Sequence, residues 1–219
     1  MRTKRAINRV VEMVADLLVG WDTRRGRESP LDVFITHCQT MEKPRVLELG
    51  TKRSIESRST LHKEWIPHAS EYLGTDIEAG VDVDIVADVH RLTELTGEEQ
   101  FDVIISCSTF EHFKYPHRAA HEVLKALRIG GVLYIQTHQS FPLHAYPHDY
   151  FRFSEQALAG LFGTQMGFHV RLTGYEYPVK IFPPRALGMM FIPAYLNVDL
   201  FGEKVALTPQ DYLYEFDVY

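Results

Sequence analysis

Apolar residues along this chain gather into short runs, each closed by a polar or glycine-bearing turn. The clearest are Arg45–Leu49, Tyr72–Ile77, Phe101–Ser106, Val132–Ile135 and Phe168–Tyr177. Near-continuous apolar runs of this length read as strands buried on both faces, as in a parallel sheet. Helical spacing takes over elsewhere. Ala119, Ala120, Val123, Leu124 and Leu127 form one stripe, opened by Pro116 and closed by Gly130. Ser154 is the expected N-cap of a helix reaching Phe162. Ser59 or Thr60 is the expected cap of a short helix running through Trp65. Val10, Val11, Val14, Leu17 and Leu18 predict an amphipathic helix near residues 5–20, and Leu31–Met41 a second helical segment.

Strand and helix alternate from Pro44 onward, which predicts an α/β domain with a sheet covered on both faces. We divide the chain into a helical N-terminal extension over 1–43, a core over 44–177 and a C-terminal strand and cap over 178–219.

A net charge of −6 gives no electrostatic footprint for nucleic acid, so no nucleic-acid partner is expected. Glu12 and Asp16 interrupt the N-terminal apolar stretch, and no run approaches membrane-spanning length, so neither a signal peptide nor a membrane partner is expected. Cys38 and Cys107 are too few for a disulfide framework. Together these predict a cytoplasmic protein.

The chemistry starts in two turns. Glu48 sits in the last turn of the first run, just before Gly50, and Asp76 closes the second, where a carboxylate can accept both hydroxyls of a ribose. The loop Gly50-Thr51-Lys52-Arg53-Ser54-Ile55 has a single glycine, whereas a pyrophosphate needs the close backbone approach of several. A nucleoside cofactor without phosphate is the better match. This arrangement resembles the class I S-adenosylmethionine-dependent methyltransferases, and the resemblance continues. Val81–His90 looks like that family's third strand, Phe101–His112 its fourth with a Glu-His ending, and Leu127–Ile135 its helix end, glycine turn and fifth strand.

The resemblance implies a Rossmann-like, doubly wound, seven-stranded and mostly parallel sheet in the order 3-2-1-4-5-7-6, with Tyr195–Leu207 supplying the antiparallel seventh strand. It implies S-adenosyl-L-methionine as cofactor, held by Glu48, Gly50, Thr51, Asp76, Ile77, Asp88, Val89, Ser106 and Cys107. Asp88 would meet the adenine amino group. The strand ends are expected to converge on one cleft, with Glu48, Asp76 and Cys107 around it.

After the fifth strand comes a loop, Thr137–Phe153, dense in ionisable and aromatic residues, which is the composition of a binding loop. Its Pro147–Phe153 run resembles a P-x-D-Y-[FW]-R-[FW] motif in a subset of these enzymes, some associated with glycan or natural-product pathways. We take His148, Asp149 and His144 as candidate catalytic residues, because a histidine titrates near neutrality. His112, Tyr150 and Arg152 are candidate substrate-binding residues. Asp149 and Arg152 could equally form a structural ion pair. His117 and His121 share a helical face without a third ligand, so a solvated face is expected and no metal set is assigned.

The reading is an enzyme methylating a small molecule, with an oxygen acceptor on a sugar-containing or natural-product metabolite as first candidate and a homo-oligomer as one possible assembly. A catalytically inactive binding protein and a nucleotide-sugar or nicotinamide enzyme remain open alternatives.

Overall fold

The computed structural model describes Val14, residues 28–181 and residues 192–213. The expected helix near 5–20, except for Val14, and the tail aromatics Tyr214, Phe216 and Tyr219 lie outside the described residues. Seven strands form one sheet: β1 (Arg45–Leu49), β2 (Glu71–Asp76), β3 (Ile85–Val86), β4 (Phe101–Cys107), β5 (Leu127–His138), β6 (Phe168–Ile181) and β7 (Ile192–Lys204). Their spatial order is β3-β2-β1-β4-β5-β7-β6. The first five run parallel, while β7 lies antiparallel between β5 and β6. Among the described residues they are accompanied by α-helices α1 (Pro30–Gln39), α2 (Thr93–Thr96), α3 (Pro116–Ala126) and α4 (Glu155–Ala159).

Period-two alternation splits the sheet into two packed faces. Leu47, Ile104, Leu133 and Leu200 bury against Ala120, Val123 and Leu124 of α3 and Leu158 of α4. Val46, Val103, Val132, Tyr134 and Phe201 face the other way, against Phe34 and Cys38 of α1. Phe34 stacks on Tyr134 with ring centroids 5.1 Å apart. The same face carries an unusual pair. Asp199 of β7 is fully buried, and Glu176 of β6 is its diagonal neighbour, since Asn197 pairs with Glu176 and Asp199 with Gly174.

Local expectations needed correction in five places. Helix α3 ends at Ala126, because Leu127 already pairs with Phe101 in β5; Gly130, at φ +79°, lies within that strand. Residues 59–65 form only a 3-10 turn at Lys63–Trp65, as the Ser59 hydroxyl donates to Asp82 instead of capping a helix. The third strand shrinks to two residues, since Asp84 turns back to accept the Gly74 N–H at 2.8 Å. Ser154 does cap α4, accepting from the Ala157 N–H at 3.1 Å, but the helix stops at Ala159. Strand β6 runs past residue 177 to Ile181. Among the described residues, no helix is long and apolar enough to cross a membrane.

Candidate active site

The carboxyl ends of β1, β2 and β4 open into a cleft of about 670 Å³. Parallel strands leave their loops on one edge, and the crevice forms where the chain reverses direction through the sheet, between β1 and β4. Gly50 lies on its floor at φ +71°, where a Cβ would come within 2.3 Å of the Thr109 side chain. Only glycine fits that turn. Asp76 stands at the end of β2, its two oxygens accepting the N–H groups of Glu78 and Lys52, each at 3.1 Å. Those bonds fix the carboxylate while leaving acceptor capacity on both oxygens.

Leu49, Ile77, Ala87, Val89 and Phe113 give the same cleft an apolar lining. Asp88 caps the turn that follows β3. Burial works against its charge, but the N–H and ring of His90, at 3.0 and 2.6 Å, hold its carboxyl below the ordinary value.

His112, His148 and Tyr150 form the other wall. His148 Nδ1 lies 3.1 Å from the Tyr150 hydroxyl, and its backbone carbonyl meets His112 Nδ1 at 2.7 Å. Asp149 and Arg152 do not line the cleft. The Arg152 guanidinium donates to both Asp149 oxygens at 2.6 and 2.8 Å and to the carbonyls of Phe141, Pro142 and Phe151. That contact, with the His144 N–H, holds the Asp149 carboxyl far below the usual range. The pair clamps the loop, as the ion-pair alternative requires. His144 is not on the cleft either; its ring packs 4.8 Å from His112 and near Glu111.

Of the expected cofactor residues, Gly50, Asp76, Ile77, Asp88 and Val89 line the cleft. Glu48, Thr51, Ser106 and Cys107 do not. Glu48, one residue from Leu49, faces the opposite side of the sheet by strand alternation. There it accepts from the His62 N–H at 2.9 Å and the Tyr72 hydroxyl at 2.6 Å. Cys107 shares that face, and burial followed by the Glu48 charge pushes its thiol up, so it stays neutral. Thr51 binds the Asp82 carbonyl at 2.7 Å, and Ser106 is fully buried. The expected meeting of Glu48, Asp76 and Cys107 around one cleft therefore does not occur. Of the first-loop cations, Lys52 is bound by Glu78, and Arg53 by Asp82.

Sequence reading missed Glu78, His90, Thr109, Phe113, Tyr115 and Arg118 on the cleft. Only Phe113 carried a signal, as an apolar residue just after the Glu-His pair. His121 Nε2 donates to the Pro209 carbonyl at 2.8 Å, and His117 packs on Tyr212, so neither faces the cleft.

Residues 59–135 match the family model described as a methyltransferase domain. No curated protein matches the sequence. Solved structures are similar in fold at low identity. A Burkholderia thailandensis 1,6-didemethyltoxoflavin-N1-methyltransferase, solved with its substrate and S-adenosylhomocysteine, shares 16% identity at TM-score 0.53, over 93% of this chain and 90% of that one. An Archaeoglobus fulgidus S-adenosylmethionine-dependent methyltransferase shares 13% at TM-score 0.55, over 80% and 94%. The family match, the strand order and the glycine-floored cleft agree: residues 59–135 carry a methyltransferase domain, in a fold shared with S-adenosylmethionine-dependent methyltransferases.

Proposed function

We propose that this methyltransferase acts on an oxygen of a small molecule, with sugar-containing and natural-product metabolites as the leading acceptor class. One observation carries the reading: a single cleft holds Asp76 on one wall and His112, His148 and Tyr150 on the other. The residues present fit the cofactor. Asp76 offers paired acceptors for a ribose diol, the apolar lining suits an adenine, and Gly50 permits close backbone approach. Three carboxylates on the cleft, Asp76, Glu78 and Asp88, oppose a pyrophosphate and so disfavour a dinucleotide.

When bound, the cofactor supplies an electrophilic methyl group on a sulfonium. The protein's part is then positioning and proton removal. Asp76 anchors the nucleoside end. Tyr150 and His112 bound the acceptor's space, and His148, held by Tyr150, accepts the acceptor's hydroxyl proton at its free Nε2. The Asp149–Arg152 clamp keeps that loop in place without touching the acceptor.

Asp76→Ala is expected to weaken S-adenosylhomocysteine binding by about 1–3 kcal/mol, the range for losing charge-assisted hydrogen bonds. Titration calorimetry on folded protein reads this directly. Unchanged affinity would remove Asp76 from the cofactor site.

A further inference from the structure

We propose that Glu111, His138 and His144 form a binding site for a divalent transition-metal ion, with His112 beside them linking it to the wall of the cleft. Glu111, in the turn after β4, is fully buried. Its Oε2 accepts from the Thr137 hydroxyl at 2.6 Å. Its Oε1 is buried and receives no hydrogen bond. Around that oxygen stand three imidazole Nε2 atoms: His138 at 3.1 Å, His112 at 3.7 Å and His144 at 3.8 Å.

The far side of each ring explains why they point there. His112 Nδ1 meets the His148 carbonyl at 2.7 Å, His138 Nδ1 the Asn197 side-chain oxygen at 3.1 Å, and His144 Nδ1 the Pro142 carbonyl at 3.2 Å. An oxygen of that kind only accepts, so each Nδ1 carries the hydrogen. A ring so bonded, when neutral, presents a bare lone pair at Nε2. The His138 and His144 lone pairs and a carboxylate oxygen converge with no donor among them, and the His112 lone pair stands beside that oxygen. A cation at the centre turns that repulsion into coordination, and Nδ1 hydrogen bonds of this type orient metal-bound histidines.

Geometry and ligand type agree. Tetrahedral ligands at zinc distances stand about 3.3 Å apart, close to the spacings around Glu111 Oε1. The ligand atoms of Glu111, His138 and His144 all lie within 4.8 Å of one another. Two imidazoles and one carboxylate suit zinc or a neighbouring first-row ion and leave a fourth position open, whereas calcium and magnesium favour oxygen sets. Asp149 also lies near His112 and His144, but Arg152 occupies both its oxygens. His138 is held further by stacking on Phe141, rings 4.1 Å apart and 7° from parallel.

The site stands on these three side chains; only its use rests on the proposed function. His112 also lines the cleft, so the ion would face the acceptor and lower the pKa of a hydroxyl that approached it.

The test strips the full-length protein with a chelator and titrates it with zinc alone, then with cobalt(II) as a visible-absorption probe. S-adenosylhomocysteine binding is measured in parallel. One zinc per chain, a raised melting temperature and a cobalt d–d band are expected. His144→Ala, on a surface loop, and Glu111→Gln should each weaken zinc binding by at least about 10-fold, while His117→Ala should not. No zinc bound by the folded protein, or wild-type zinc affinity in both His144→Ala and Glu111→Gln, would overturn the site. Zinc binding without any S-adenosylhomocysteine affinity would support the site and overturn the methyltransferase reading.

Discussion

His148→Ala is expected to slow methyl transfer by roughly 10²–10⁴-fold for a weakly acidic hydroxyl, while leaving S-adenosylhomocysteine affinity nearly unchanged. The separation follows from position. His148 and Asp76 line the same cleft from different elements, one in the loop after β5 and the other at the end of β2. The substitution keeps the His148 carbonyl, so the hydrogen bond to His112 Nδ1 survives and zinc affinity should persist. Arg152→Ala should behave differently, because it releases three backbone carbonyls and the Asp149 carboxylate together. Its melting temperature should fall, with turnover lost in proportion to unfolding. Turnover and melting measured on both variants separate a proton acceptor from a loop clamp. A stable, fully active His148→Ala protein would end the base assignment.

Asp199→Asn is expected to stabilise the protein at alkaline pH and to flatten its stability-versus-pH curve. Asp199 is fully buried beside the Glu176 carboxyl. Burial, and then the adjacent Glu176, push its carboxyl up to about 9. Burial raises Glu176 as well. The folded protein therefore keeps a proton on this pair at neutral pH, whereas the unfolded chain releases it near the ordinary value of about 4. The folded carboxyl has the higher pKa, so its contribution is complete below the unfolded value. It is lost as pH rises toward 9. Linkage sets the slope at about 1.4 kcal/mol per pH unit per proton. Asparagine keeps the shape and carries no charge to bury. Denaturant unfolding at about pH 5, 7 and 9 reads both curves; a wild-type curve as flat as the variant's would contradict the shared proton.

The strands were legible because burial on both faces writes itself as apolar runs, and strand β7 was placed by resemblance alone. The site was harder. Asp76, Asp88 and Gly50 announce themselves by closing strands. Glu48 closes one too, yet alternation turns it away from the cleft toward His62 and Tyr72. A one-residue difference in facing is invisible to a motif. The Glu111 cluster hid for another reason: its members come from the turn after β4, the end of β5 and the loop beyond, at no recognised ligand spacing. His117 and His121 had the spacing and lacked the convergence.

The position of β7 has a consequence for how the chain is made. The sheet's interior needs residues 192–204, which come late in synthesis. Until they arrive, β5 presents an open, apolar edge able to pair with another chain. β6 bonds only to β7, so it joins the sheet through that late strand. The nascent protein therefore carries its cofactor-facing half before it can close its own edge.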